Sequence, residues 1–163
     1  MKRTILLAVA MVFAGAPLLA REPAKPNSSV DKASARKSEL APAQYFTGRV
    51  TLQRITAPEG GSRIGVALVT FERGARSNWH THPAGQTLYV TDGCGWTQRE
   101  GGPVERICRG DVAYVPAGIR HWHGATTSSA MTHLAVNETV AGKNVVWGEP
   151  VTDVQYRAAL RMR

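Results

Sequence analysis

The chain has 163 residues, 43% of them hydrophobic and 7% aromatic, with a formal charge of +8. That length holds one domain and not comfortably two. The charge does not make a nucleic-acid surface: residues 44–163 carry 13 Lys and Arg against 9 Asp and Glu, and the arginines are scattered instead of gathered on one motif.

Lys2 and Arg3 precede an apolar run from Ile5 to Phe13, and small residues follow as far as Ala20. This is the layout of a secretory signal peptide over residues 1–20, and the run is too short to span a bilayer. The expectation is a periplasmic or secreted protein with no membrane contact once the signal is cut. Residues 21–43 hold three prolines and four serines among alternating charges, with almost no large apolar side chains. Such a stretch buries too little surface to offset its ordering entropy, so it reads as a flexible linker ahead of a domain at 44–163.

The domain itself reads as short β-branched and apolar runs between glycine and proline punctuation. Eight runs stand out, at 48–55, 64–72, 87–91, 94–99, 104–108, 111–115, 121–126 and 131–136. Turn signals every eight to twelve residues predict an all-β sandwich or barrel. Thr152-Asp153-Val154-Gln155 is a capping-box pattern, which predicts a short C-terminal helix. Cys94 and Cys108, the only cysteines, flank the turn Glu100-Gly101-Gly102-Pro103. A three-residue loop over 100–102 sets them opposite each other, close enough for a disulfide in an oxidising compartment; a register shift of one residue separates them.

All five histidines fall between residues 80 and 133. His80 and His82, two apart on a strand, project from the same face, with Trp79 and Thr81 on the other. Pro83-Ala84-Gly85 can turn the chain so that Gln86 returns to the same point, while His121 arrives from a distant strand through Pro116-Ala117-Gly118. Three imidazoles and one amide oxygen suit a divalent metal that keeps open positions for substrate or water. His123 shares the face of His121, leaving Trp122 on the opposite side. His133 sits on the next run, and an imidazole there is a natural base. Ala67 and Val69 alternate on a strand able to line the same interior. Trp96, Trp122 and Trp147 read as packing or interface residues.

The segments Gly74-x5-His80-x-His82-x3-Gln86-x6-Gly93 and Gly110-x5-Pro116-x-Gly118-x2-His121 resemble the paired motifs of the cupin family. The resemblance implies a double-stranded β-helix, or jelly roll, over residues 44–160, with the metal inside the barrel. The chain departs from the general pattern at Gln86, where Glu is usual, and at Ala125, where Asn is usual. A neutral amide leaves the bound ion its full double charge, which favours Lewis-acid work. The stretch from His80 to Val136 is similar to a narrower group of small bacterial cupins that includes manganese-dependent hydroxynitrile lyases. On that resemblance His80, His82, Gln86 and His121 match the metal ligands, and His123 and His133 match the pocket histidines. Asn137 stands where close relatives tend to have Gln.

The resemblance implies a lyase that cleaves a cyanohydrin to an aldehyde or ketone plus cyanide. Mn2+ would serve as Lewis acid, with Fe2+ or another divalent ion as alternatives. His133, or secondarily His123, takes the substrate's proton. Two other readings stand beside it: a metal-dependent dioxygenase, and a non-enzymatic periplasmic cupin that binds a small ligand. Unpaired sheet edges predict a homo-oligomer.

Overall fold

The computed structural model describes residues 30–159. Residues 1–20, read as a signal peptide, and the first part of the linker lie outside the described residues. The strands are β1 (Glu39–Leu40), β2 (Phe46–Thr47), β3 (Val50–Thr56), β4 (Ile64–Phe71), β5 (Arg76–Ser77), β6 (His80–Thr81) and β7 (Gln86–Arg99). They continue with β8 (Val104–Cys108), β9 (Val112–Val115), β10 (His121–Ala125), β11 (Met131–Glu138) and β12 (Val146–Trp147), before helix α1 (Asp153–Ala159).

The pairings are antiparallel and build a curled sheet with two halves, a cupin-type jelly roll. One half runs β1-β3-β4-β11-β7-β9, the other β2-β5-β10-β7-β8, with β6 also on β10 and β12 on β6. β7 joins the halves because it is one continuous strand. The sequence reading divided it at Asp92-Gly93, but the glycine bends the strand without ending it. Thr91 is an extra residue there, since His133 pairs Val90 and Thr132 pairs Asp92. Gly93 has φ +69°, and a Cβ on it would lie 1.9 Å from the Ala130 carbonyl oxygen. Only glycine can take the chain through that point.

Other strands follow the sequence reading closely, but five two-residue strands (β1, β2, β5, β6, β12) carry too short a pattern to be read from alternation. One of them moves a boundary. Glu39 pairs Leu52 and Leu40 pairs Thr51, and the Ala41 N–H donates to the Val50 carbonyl at 2.9 Å. The folded unit therefore reaches back past residue 44 into the stretch read as linker. In the β7–β8 hairpin Cys94 stands opposite Cys108, and the two form a disulfide.

Two apolar clusters hold this arrangement. Val69, Phe71, Leu88, Val90, Met131 and Ala135 lie in the interior cluster between the halves. Trp79, Trp96, Trp122, Val151 and Tyr156 form the second, covered by α1. A large apolar side chain that is fully buried, as Phe71 and Trp122 are, contributes about 1.5–3 kcal/mol each. Thr152 and Gln155 make the capping box reciprocally, at 3.2 Å and 2.8 Å, and start α1 at Asp153. Arg76, only 5% exposed, fastens the helix: its guanidinium donates to the Val151 carbonyl and to Asp153 and lies over the Tyr156 ring. The Tyr156 hydroxyl donates to the Ala125 carbonyl at 2.6 Å, so the helix is tied to the strand carrying His121 and His123.

Candidate metal centre and its cavity

His80 stands opposite His121 in the β6–β10 register, which explains how two remote segments share a site. The turn after His82 is closed by its own carbonyl, which accepts from Gly85 N–H at 3.2 Å and from Gly118 N–H at 2.9 Å. The two motifs are thus stitched together at one oxygen. Gly85 has φ +83°, and a Cβ there would come within 2.7 Å of the Val115 carbonyl. The glycine lets Gln86 return directly to the site.

His80, His82 and His121 are all buried, and their ligand atoms lie within 4.8 Å of one another. In each ring Nδ1 meets a backbone carbonyl: Asn78 for His80 at 2.9 Å, Ile119 for His121 at 3.1 Å, and Asn144 for His82. An Nδ1–H donated to a carbonyl fixes the tautomer and leaves Nε2 as the lone pair, the usual arrangement of metal-binding histidines. The Nε2 of His82 is buried with no partner. The Nε2 of His121 lies 2.9 Å from Oε1 of Gln86, so in that tautomer two lone pairs face each other. Neutral acceptors converging on one point are satisfied by a cation, and the donor set fits a divalent metal. Burial depresses all three imidazoles. It lowers His80 well below the ordinary value, with neighbouring His121 adding to the effect, lowers His82, and takes His121 to about 4. Each therefore presents a neutral ring near pH 7.

A cavity of about 300 Å³ opens on this cluster, walled by His80, His82, His123, Leu52, Ala67, Val69 and Asn137. Its remaining lining is Pro42, Tyr45, Phe46, Asn144, Val145 and Trp147. Ala67 and Val69 are where the sequence reading put them. His123 contributes to the wall, with Nδ1 buried and without a partner. His133 is completely buried, 4.9 Å from His123 between ring centroids, and neither of its ring nitrogens has a partner. It is not among the residues lining the cavity; the sequence reading brought it to the pocket directly, whereas here it backs His123. The reason is packing: His133 pairs Val69 across β4–β11 and lies against Phe71, inside the apolar cluster. Burial takes His133 to about 4, and burial with the nearby His133 lowers His123 well below the ordinary value.

Trp122 and Trp96 belong to the second apolar cluster, as packing residues. Trp147 does not. It lines the cavity and stands opposite His80 in the β6–β12 register. Tyr45, Phe46 and Asn144 were not singled out from the sequence either. The Tyr45-Phe46 pair beside the start of the domain was the signal available, but nothing in spacing shows that the segment crosses to the cavity.

Comparison with known proteins agrees with this architecture. Residues 67–137 match the family model for the cupin domain. The chain is 51% identical over 128 residues to an (R)-mandelonitrile lyase from Granulicella tundricola, covering 78% of this chain and 98% of that protein. A cupin-like protein from Thermotoga maritima superposes with a TM-score of 0.74 at 34% identity, over 82% of this chain and all (100%) of that one. The polyketide cyclase RemF from Streptomyces resistomycificus shares the fold alone, with a TM-score of 0.64 at 15% identity over 83% of this chain and 95% of its own. The chain belongs to the cupin family, as a small single-domain member with a histidine site able to bind a metal.

Proposed function

We propose that the chain is a metal-dependent carbon–carbon lyase of the hydroxynitrile type, splitting a cyanohydrin into an aldehyde or ketone and hydrogen cyanide. One observation carries it: lone pairs converging on one point, beside the neutral His123 on the wall of a largely apolar cavity, in a chain 51% identical to an (R)-mandelonitrile lyase. His80, His82, His121 and Gln86 would hold the ion, with Mn2+ our choice. When bound it supplies Lewis acidity toward the substrate hydroxyl oxygen.

The remaining work falls to the chain. His123, on the cavity wall, offers a lone pair to the hydroxyl proton, and His133 packs behind it edge-to-face, 4.9 Å away between ring centroids. Burial keeps both rings neutral near pH 7, which leaves the His123 lone pair free while making it a weaker base than a free imidazole. As the O–H proton leaves, the C–O bond becomes a carbonyl and the C–CN bond pair departs with cyanide. The same imidazole then returns the proton, giving HCN. Leu52, Ala67 and Val69 keep bulk water from the departing anion.

We propose as well that residues 1–20 direct the protein to the periplasm or outside. Tyr89, Val112 and Tyr114, exposed on one face of β7 and β9, are the surface by which copies associate. The deciding assay is cyanide release from racemic mandelonitrile by Mn2+-loaded protein, with His80→Ala as control. Metal-dependent release is expected. Metal bound without release overturns the lyase reading.

A further inference from the structure

The cavity is built from two sources. Its histidines, Ala67, Val69 and Asn137 lie inside the family-matched residues 67–137, whereas Tyr45, Phe46, Val145 and Trp147 lie outside them. Residues 39–47 act as a strap: β1 pairs with β3 in one half of the sheet and β2 with β5 in the other, so the chain between them crosses the cavity. From the other end of the domain β12 brings Trp147 to the same place. Tyr45 stacks on Trp147 with centroids 4.7 Å apart and planes 11° apart, and Phe46 meets Trp147 edge-on at 5.3 Å and 67°. Trp147 in turn reaches to 4.9 Å from the His80 ring.

These three rings are only partly buried, unlike the interior cluster, and they face open volume next to the metal-binding imidazoles. Packed on one another, the three rings present a continuous aromatic wall to the cavity, and its quadrupoles favour another aromatic ring over an alkyl chain of equal area. We infer that Tyr45, Phe46 and Trp147 form an aromatic clamp that selects substrates with a flat aryl group on the carbon bearing the reacting hydroxyl. The inference rests on the lyase reading and adds the residues that choose among its substrates. The chemistry is held by the motif region and the selection by the two flanking segments.

The test is the ratio of kcat/KM for mandelonitrile to that for acetone cyanohydrin, with rates taken per bound manganese. Trp147→Ala and Phe46→Ala lower the ratio about tenfold, chiefly through KM for the aryl substrate, while Trp147→Phe keeps it within about threefold of wild type. A fall of less than about threefold in Trp147→Ala overturns the clamp, whatever the absolute rates do. If wild-type protein cleaves neither compound, the lyase reading has failed and the clamp is judged by binding alone. Saturation-transfer NMR with benzaldehyde then gives ring-proton signals in wild type that Trp147→Ala loses. Equal signals in the two proteins overturn it.

Discussion

The imidazoles at the centre of this protein differ in what their nitrogens face, and that difference predicts separable phenotypes. His80, His82 and His121 each have one nitrogen on a carbonyl and the other toward a shared point. Replacing any one by Ala removes a donor, and metal content by plasma mass spectrometry should fall to less than about a tenth of wild type. His123→Ala should leave metal content intact and lower kcat by roughly a hundredfold or more, the range of a lost proton acceptor, whereas His133→Ala removes only the ring packed behind it and should lower kcat less. Loss of metal in His123→Ala contradicts that role. His133 also predicts a pH dependence. Its folded-state pKa of about 4 lies below the 6.5 of a free imidazole, so the unfolded chain binds more protons in between. Its stability contribution is complete above about pH 6.5 and is lost as pH falls toward about 4, on the order of 3 kcal/mol in all. Thermal midpoints of metal-free protein should drop across that window, and His133→Phe should make the drop shallower, the other buried histidines supplying the remainder. The ligand cluster was legible because two-residue spacing puts His80 and His82 on one face. The depth of His133 was not, because which face of a strand meets a cavity depends on the packing of Phe71 and Val69.

Among the elements, β7 does most to shape the molecule, since it crosses from one half of the sheet to the other at Gly93. Gly93→Ala places a methyl group against the Ala130 carbonyl in a backbone conformation that disfavours it. The expected loss is more than about 3 kcal/mol, read as a lower urea midpoint or failure to fold. The Cys94–Cys108 bridge closes a short loop of 14 residues' separation. Chain entropy assigns such a loop about 3 kcal/mol, and Cys94→Ser with Cys108→Ser should lower the urea midpoint accordingly. The same shift should follow on adding reductant to wild type. The hairpin register was readable from the turn Glu100-Gly101-Gly102, because loop length sets which residues face each other. The continuity of β7 was not, since Asp92-Gly93 is a turn signal locally and becomes a bulge only when β11 lies alongside.

At the scale of the whole molecule, the exposed Tyr89, Val112 and Tyr114 predict self-association. Sedimentation should find at least a dimer, and Tyr114→Glu should shift the distribution to monomer without altering metal content. The all-β class and the C-terminal helix followed from turn spacing and the capping box. The reach of the fold back to Glu39 did not, because the composition of residues 21–43 gives no apolar pattern to reveal a two-residue strand.

Asn144, whose backbone oxygen holds His82, is three residues from Trp147, and both lie on the cavity wall. A cation on His82 and an organic ligand on Trp147 would therefore bear on the same stretch of backbone, and we predict that their occupancies are linked. By reciprocity, whatever factor the ion adds to ligand affinity the ligand returns to the ion. Manganese titrations with and without saturating benzaldehyde should give different dissociation constants in wild type and converging ones in Trp147→Ala. A cell's metal supply would then set not only how much enzyme is active but how firmly each molecule keeps its product.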